Sequence, residues 1–597
     1  MDGFGGGTPI TYLPFPAGFN SKNALLIMGW DSLGPYYGPT VGLQGNNVQR
    51  QINLVDDVSI QEARHSLKFG VDWRHLSPTF HNAQYNLEPE FADVPSSETG
   101  SLEFAAVGAG RSGHFSFHNL GLFGQDTWHT TDRLTLTYGL RWDVDFAPSS
   151  NPQLLAVTGF NLRDMSQLAL ASAGTPPFNT TYSNLAPRLG VAYGLRRTPG
   201  SDTVLRGGVG VFYNLATSQT GNSIYPSFYP FGAVNFYLGQ IFTGQPLSFP
   251  LDQTTATPPP IDTSSLQFPG GAWGVFDPHL KLPYSVQWNV SLEQALGTSQ
   301  SVSASYVGAI GRRLLQSARV VNPSPEFGFA GVIANAATSD YHSLQVQFKR
   351  RLNRGLQALA SYNWSHSIDT ASAGSTFGNT ANVLLPGAIN SNRGSSDFDI
   401  RNGVSLGGTY EVPTPKATPW VSSVLRGWSL QSVLQAHSAS PVSVSVSPSI
   451  TVLGAFEAQQ RPDLVPNVPV YLYGSQYPGG KAINAQAFST PASGQQGDLG
   501  RNALRGFSAW QWDFSVHRDF PLGEHRSIEF RSEMFNILNH PNFGPPLSSL
   551  VYGPSFGLAT QTLGQSLAGN NIGSGAFNPL YQIGGPRSVQ FGLKFLF

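Results

Sequence analysis

The sequence predicts an all-β protein: a transmembrane antiparallel up-and-down β-barrel with long extracellular loops. Three observations carry this. Apolar and polar residues alternate with a period of two over long segments, and short and long connections between those segments alternate in turn. The chain also ends on such a segment, RSVQFGLKFLF, whose last residue is a bare phenylalanine, Phe597. Val589, Phe591, Leu593, Phe595 and Phe597 are apolar, whereas Gln590, Gly592 and Lys594 are not, so the two sets fall on opposite faces of an extended strand. Chain ends of soluble domains usually fray; one that ends on its most regular apolar strand points to a wall that uses it.

Composition narrows the class. Of 597 residues only 12% are charged, against about 25% in ordinary soluble domains. Glycine (66) and proline (44) are plentiful, which favours strands and turns over helices. A net charge of −1 without any run of Lys or Arg excludes nucleic acid as a partner. The absence of cysteine excludes disulfides and thiolate metal sites. No stretch approaches the ~18 consecutive apolar residues of a membrane-spanning helix, and a mean hydropathy of −0.14 suits strands that alternate between lipid and water. The first residues, MDGFGGGTPITYLPF, show no basic region followed by an apolar core, so no leader peptide is visible: either the true start lies upstream or the chain is not exported.

The elements follow in order. After a strand expected at ALLIMGW (Ala24 to Trp30), the first hairpin pairs QINLVDDVSI with SLKFGVDWR, where Leu67, Phe69, Val71 and Trp73 oppose Lys68, Asp72 and Arg74. NLGLFGQDTW and RLTLTYGLRWDVDF form the second around HTTD. In the latter, Leu134, Leu136, Tyr138, Leu140, Trp142, Val144 and Phe146 alternate without a break with Arg133, Thr135, Thr137, Gly139, Arg141, Asp143 and Asp145. At ~3.3 Å per residue this segment exceeds roughly 40 Å, enough for a tilted bilayer crossing. LAPRLGVAYGL and TVLRGGVGVFY, YSVQWNVSLEQ and SVSASYVG, SLQVQFKRR and LQALASYNWS, DIRNGVSLGGTYEV and GWSLQSVLQAH, and finally WQWDFSVHRDF and SIEFRSEMFNI continue the series before the terminal strand. The scheme gives roughly 16 strands, an even number that would place both chain ends on the short-turn side. Residues 1–50 read as an irregular N-terminal barrel segment and 51–597 as the barrel domain. A charge facing mid-bilayer lipid costs up to ~2–4 kcal/mol, so the faces bearing Arg141, Asp143, Lys349, Asp513, Glu529, Arg531 and Glu533 are expected to line a wet interior. Tryptophans at strand ends, such as Trp73, Trp128 and Trp510, suit interfacial girdles.

Several stretches resemble the Oar-like group of TonB-dependent outer-membrane receptors, large Gram-negative barrels common in Acidobacteria. They are HSLKFGVDWR, GLFGQDTWHTTDRLTLTYGLRWDVDF, LAPRLGVAYGL, SDFDIRNGVSLGGTYEVP, GDLGRNALRGF and, most specifically, WDFSVHRDFPLGEHRSIEFRSEMFNILNHPNFGPP (Trp512 to Pro546). The resemblance implies a barrel of the type with about 22 strands, present here in part and without the carboxypeptidase-regulatory-like domain and plug. It implies outer-membrane lipid as surroundings and Phe597 as an assembly signal read by the barrel-assembly machinery. It implies uptake or surface binding of an unidentified ligand, with the TonB system as partner only where the N-terminal part is supplied. The rival readings are a passive porin or adhesin-like barrel, an outer-membrane hydrolase and an extracellular β-sandwich array.

Catalytic and metal chemistry finds little footing. NWSHSID brings His366, Ser367 and Asp369 together in sequence without a nucleophile elbow, and is expected to be a polar strand end. SDFDIR offers Asp397 and Asp399 but lacks the ligand count and glycine of a calcium loop. His114 with His118, and His65 with His75, are expected to be surface or interior polarity. GAGRSG and GGVGVF lack the lysine and strand–turn–helix context of a phosphate loop. The sequence therefore assigns no catalytic, cofactor-binding or metal residue.

Overall fold

The computed structural model describes the chain except for residues 1–13, 31–37, 44, 215–227, 268–270, 373–383, 385–391, 415–417, 447–449, 454–455, 524–525 and 568–583. Among the described residues the main sheet has 20 strands. Five are short additions: Ser149–Asn151, Ala272–Phe276, Gly394–Ser395, Ile450–Leu453 and Phe456–Gln459. The remaining 15 form the wall: β1 Val48–Glu62, β2 His65–Phe80, β3 Gly113–His129, β4 Leu134–Asp145, β5 Leu185–Arg196, β6 Thr203–Tyr213, β7 Tyr284–Leu296 and β8 Gln300–Ser324. They continue as β9 Phe327–Asn353, β10 Leu356–Asp369, β11 Asn402–Glu411, β12 Trp428–His437, β13 Ala509–Pro521, β14 Ser527–Phe535 and β15 Ser588–Leu596. Each pairs antiparallel with the next, so the wall is one unbroken meander.

Local chemistry sets the turns. Between β9 and β10 the chain reverses over Arg354 (φ 53°) and Gly355 (φ 76°), the left-handed pair that a type I′ hairpin turn needs. Register then fixes the faces. Asp72 on β2 and Asp143 on β4 both lie opposite Gly121 on β3. Gln345 lies opposite Ser305 and Asn363, and Glu533 opposite Ser515 and Gln590. One face of the wall is therefore predominantly polar, with Phe123, Leu359 and Val433 interspersed, and carries the charged residues expected there.

The other face is apolar and faces outward. Leu54, Leu140, Leu189, Val290, Phe591 and Leu593 are all exposed, Leu593 at 74%. Asp56, Asp126 and Arg518 are exceptions on this face; Asp126 lies close to the short-turn end, where His65 Nδ1 (2.7 Å) and the Tyr138 hydroxyl (2.9 Å) hold it. Buried apolar clusters belong instead to the long connections and to the loop-end parts of β8 and β9 that they cover. Leu155, Leu168, Leu266, Phe327 and Val332 form one, and Val442, Ile483, Phe488, Leu504 and Phe556 another.

Three expectations change. The strand at Ala24–Ile27 exists, but it is not a wall strand. It pairs parallel with Tyr85–Phe91 and antiparallel with Thr40–Gly42 in a separate sheet, with Phe104–Gly110 and Gly232–Leu238 alongside, and Gly29–Trp30 also pairs there with Tyr85–Phe91. Ala24, Leu26, Tyr85, Leu87 and Val107 bury one side of that sheet, which drives the segment into the loop layer rather than the lipid-facing wall. Among the described residues the wall thus has 15 strands, close to the roughly 16 expected, and β1 starts on the long-loop side instead of the short-turn side. Finally, the connection between SVSASYVG and SLQVQFKRR is itself strand, because β8 and β9 run on together past a register break at Gly311.

At the ends of the wall, β1 pairs with β2 and β15 with β14; among the described residues no ladder joins β15 to β1. Every residue of β1 is exposed. Phe597 lies just beyond β15 and is 92% exposed.

Glu88 on Tyr85–Phe91 is pushed up to about 7 by burial, with the charge of Glu90 adding to it. The unfolded chain then binds fewer protons than the folded one between the ordinary carboxylate range and pH 7, so stability falls as pH rises through that window. Hydrogen exchange of the Tyr85–Phe91 amides is expected to slow from pH 8 to pH 5 after correction for intrinsic rates, and Glu88→Gln should abolish that dependence.

Candidate functional site

The polar face and the long loops tied to its upper rim are where a ligand would meet this protein. On β2 to β4 the face carries a charged quartet. Arg74 Nε and Nη2 donate to Asp72 (3.0 and 2.9 Å), while Arg141 donates to Asp143 through Nε (2.8 Å) and to Asp72 through Nη2 (3.3 Å). To reach Asp72, the Arg141 guanidinium crosses the intervening strand over Gly121. A Cβ at that position would sit 2.0 Å from Arg141 Nη2. Glycine at 121 is thus a clearance that lets one arginine bridge two carboxylates across three strands.

Beside the quartet, strands β3 to β8 enclose a depression of about 530 Å³ with Gly190 and Gly208, cross-strand neighbours, in its floor. Its rim includes Arg188, whose guanidinium stacks on the Phe212 ring at 4.5 Å.

The second feature is an ionic latch at the loop end of β10 and β11. Arg501, from the connection between β12 and β13, is 1% exposed at its side chain. It binds the carboxylate of Asp369, that of Asp397 (2.9 Å) and the main-chain carbonyls of Asp369 (2.9 Å) and Asn392 (2.8 Å). Four residues on, Arg505 donates to Asp399 Oδ2 (2.5 Å) and to the Asp399 carbonyl (2.8 Å). Asp399 also accepts from Arg401 Nε (2.9 Å) and the Ser367 amide (2.8 Å), and lies 3.3 Å from His366 Nδ1. Burial alone would raise the Asp399 carboxyl, but the Arg505 hydrogen bond, the Ser367 amide, His366 and Arg401 together hold it below the usual carboxylate range.

Three sequence motifs are therefore joined in space. NWSHSID, SDFDIR and GDLGRNALRGF form one interlocked set. Ser367 Oγ pairs with Ser396 Oγ (2.8 Å), and Asp369 is engaged by Arg501. His366 points to the opposite face of β10, toward Asp399 and Arg401. The roles of Arg501 and Arg505 were not read from sequence. The signal was present as two arginines four apart in a glycine-rich loop of a charge-poor chain, matched by the two aspartates of SDFDIR.

The histidines sit apart. His114 meets Thr79 Oγ1 (3.0 Å), and the His75 and His118 rings stack at 4.4 Å beside Trp73. Among the described residues no group of three His, Asp or Glu gathers as a metal site. GAGRSG and GGVGVF contribute strand glycines, Gly108 and Gly110 to the loop sheet and Gly208 and Gly210 to β6. Phe597 contacts Phe595 at a ring distance of 5.9 Å, on the apolar side with the rest of the terminal strand.

A family model described as an outer membrane beta barrel domain matches residues 27–572. No curated protein matches the sequence. Among solved structures, the outer membrane transporter YddB from Escherichia coli is similar at 13% identity and TM-score 0.45, over 87% of this chain and 55% of its own. The ferric yersiniabactin uptake receptor FyuA from Yersinia pestis is similar at 11% identity and TM-score 0.39, over 83% of this chain and 50% of its own. The ferripyoverdine receptor of Pseudomonas aeruginosa is similar at 10% identity and TM-score 0.40, over 83% of this chain and 45% of its own. This chain spans about half the length of these structures.

Breaking a buried ion pair on one side costs about 3–5 kcal/mol. Arg501→Ala should accordingly raise the opening of the 438–508 connection by at least about 100-fold, read as external protease cleavage within it, while the wall stays intact. Asp399 contributes stability above its unfolded pKa and loses it only as pH falls through its lowered folded value. Protection of the same connection should therefore persist from pH 8 through the ordinary carboxylate range and fail only below it.

Proposed function

The chain belongs to the outer membrane beta barrel family and resides in the outer membrane, and from that premise we propose that it is the barrel of a receptor or transporter of the TonB-dependent type, similar to the Oar-like group. The observation that carries this reading is the treatment of the long connections. They are not slack links between strands. They bury apolar clusters, build a sheet from two connections and the segment ahead of β1, and one of them is latched onto the wall by Arg501 and Arg505. A surface that must recognise a bulky ligand needs such prearranged loops, because ordering them on binding would cost affinity. The wall supplies a rigid, polar-lined passage beneath. No covalent chemistry is involved; the ligand is captured at the loop layer and passed along the polar face, with energy coupling supplied by an N-terminal plug and TonB-contacting segment.

The stretch from Trp512 to Pro546, which resembles the penultimate hairpin of the Oar-like group and the start of its last loop, supports the receptor reading over a passive porin. Its structure agrees with a hairpin: β13 and β14 pair in register from Phe514 with Met534 to Pro521 with Ser527.

Mass spectrometry of the protein isolated from native outer membranes tests this. Peptides of a plug domain joined covalently ahead of Val48 are expected. A mature N-terminus at or near Met1, left by a cleaved leader, would instead support the passive porin.

A further inference from the structure

The polar face is not uniform. Its outer quarters are charged, with Asp72, Arg74, Arg141 and Asp143 on one side and Asp513, Glu529, Arg531 and Glu533 on the other. Between them, across β8 to β12, register places a lattice of uncharged hydrogen-bonding side chains. Gln345 lies opposite Ser305 and Asn363, and Ser405 opposite Ser361 and Gln435. These residues line a depression of about 630 Å³ that also reaches His437. Charges on this part of the face fall at the strand ends: Lys349 and Glu411 near the short turns, and Asp369 at the loop rim, where Arg501 engages it.

The hydrogen-bonding capacity of this sector is largely uncommitted. Gln345 Nε2 reaches Ser343 Oγ at 3.2 Å, Gln347 Nε2 reaches Ser361 Oγ at 3.4 Å, and Asn363 Nδ2 reaches Ser365 Oγ at 3.2 Å. All three are long for such bonds, and each uses one donor of an amide that has two donors and an oxygen with two lone pairs. Among the described residues Asn363 Oδ1 is buried and accepts no hydrogen bond, a position that costs free energy until a partner arrives. Terminal amide torsions are broad, so a small rotation turns that oxygen toward the depression.

We propose that the β8–β12 sector binds a neutral oligosaccharide, a claim that rests on the receptor reading above and names its substrate class. A ligand carrying formal charge would be desolvated here against no countercharge, which disfavours anionic metal chelates and peptides with free termini. Sugar hydroxyls both donate and accept, as do the Ser, Asn and Gln side chains that face them. The lattice repeats at about 4.8 Å between strands, close to the scale of one sugar ring, so that a chain of rings can move from one set of partners to the next.

Isothermal titration of the full chain in detergent micelles tests this, with neutral malto-, cello- and xylohexaose and anionic hexagalacturonate as probes. At least one neutral hexaose should bind, and the anionic hexamer at least about tenfold more weakly. The double variant Gln345→Ala, Asn363→Ala should weaken the neutral probe by about tenfold or more, and Gln345→Lys should bring in the anionic one. Heat-modifiable gel migration reports the folded barrel in every sample. With that migration intact, failure of all three neutral hexaoses, or binding unmoved by the substitutions, overturns the sugar assignment and leaves the receptor reading standing. Loss of heat-modifiable migration in the wild-type chain overturns the barrel and the assignment together.

Discussion

Hydrocarbon offers no hydrogen bonds, so every backbone amide and carbonyl that crosses it must be paired within the protein. The rest of this structure depends on that constraint. It explains why the crossing elements are strands of one continuous ladder, why they are longer than ordinary strands, and why proline enters them at only four described positions, Pro78, Pro187, Pro323 and Pro521. It also explains the inversion of the usual hydrophobic pattern. Large apolar side chains on the wall are the exposed ones, with Phe591 and Leu593 at 70% and 74%, because lipid, not protein, is their partner.

With the apolar residues of the wall committed outward, stability on the loop side has to come from elsewhere. The long connections supply it with separate apolar clusters and with the Arg501 and Arg505 latch. A buried salt bridge is a poor source of net stability compared with well-packed apolar groups, but it is demanding about geometry. Here that demand has a use. It seats one connection on the ends of β10 and β11 in a single position, which holds the loop surface in place above the polar face. Gly121 works on the same principle at smaller scale, since only a missing side chain lets Arg141 span the strand between Asp72 and Asp143.

What the sequence made legible follows from which physical signals are local. Alternation from Leu134 to Phe146 is a statement about two solvents on two sides of a strand, and it survives intact in β4 and its neighbours. The upper parts of β8 and β9 were hidden because loop segments cover both of their faces. The run from Phe327 to Ala334 is buried throughout, and a strand buried on both sides has no alternation to read. Ala24–Ile27 was legible as a strand but not in its place, since its parallel partner lies beyond a whole hairpin. The latch was least legible of all. Arg501 and Asp369 are 132 residues apart, and nothing in either segment alone points to the other. The polar sector of β8 to β12 sat between: its Ser, Asn and Gln residues were visible as the non-apolar half of each strand, but only register shows them side by side.

The central claim is that the period-two alternation separates a lipid-facing from a water-facing surface. The chain contains no cysteine, so single cysteines can be placed along β4 in an otherwise unmodified protein, spin-labelled, and probed in lipid vesicles by collision with oxygen and with a water-soluble nickel chelate. Labels at Leu136, Tyr138 and Leu140 should be accessible to oxygen and shielded from nickel, and labels at Thr135, Thr137 and Gly139 the reverse, in strict alternation. Equal nickel access at all six positions would contradict the account.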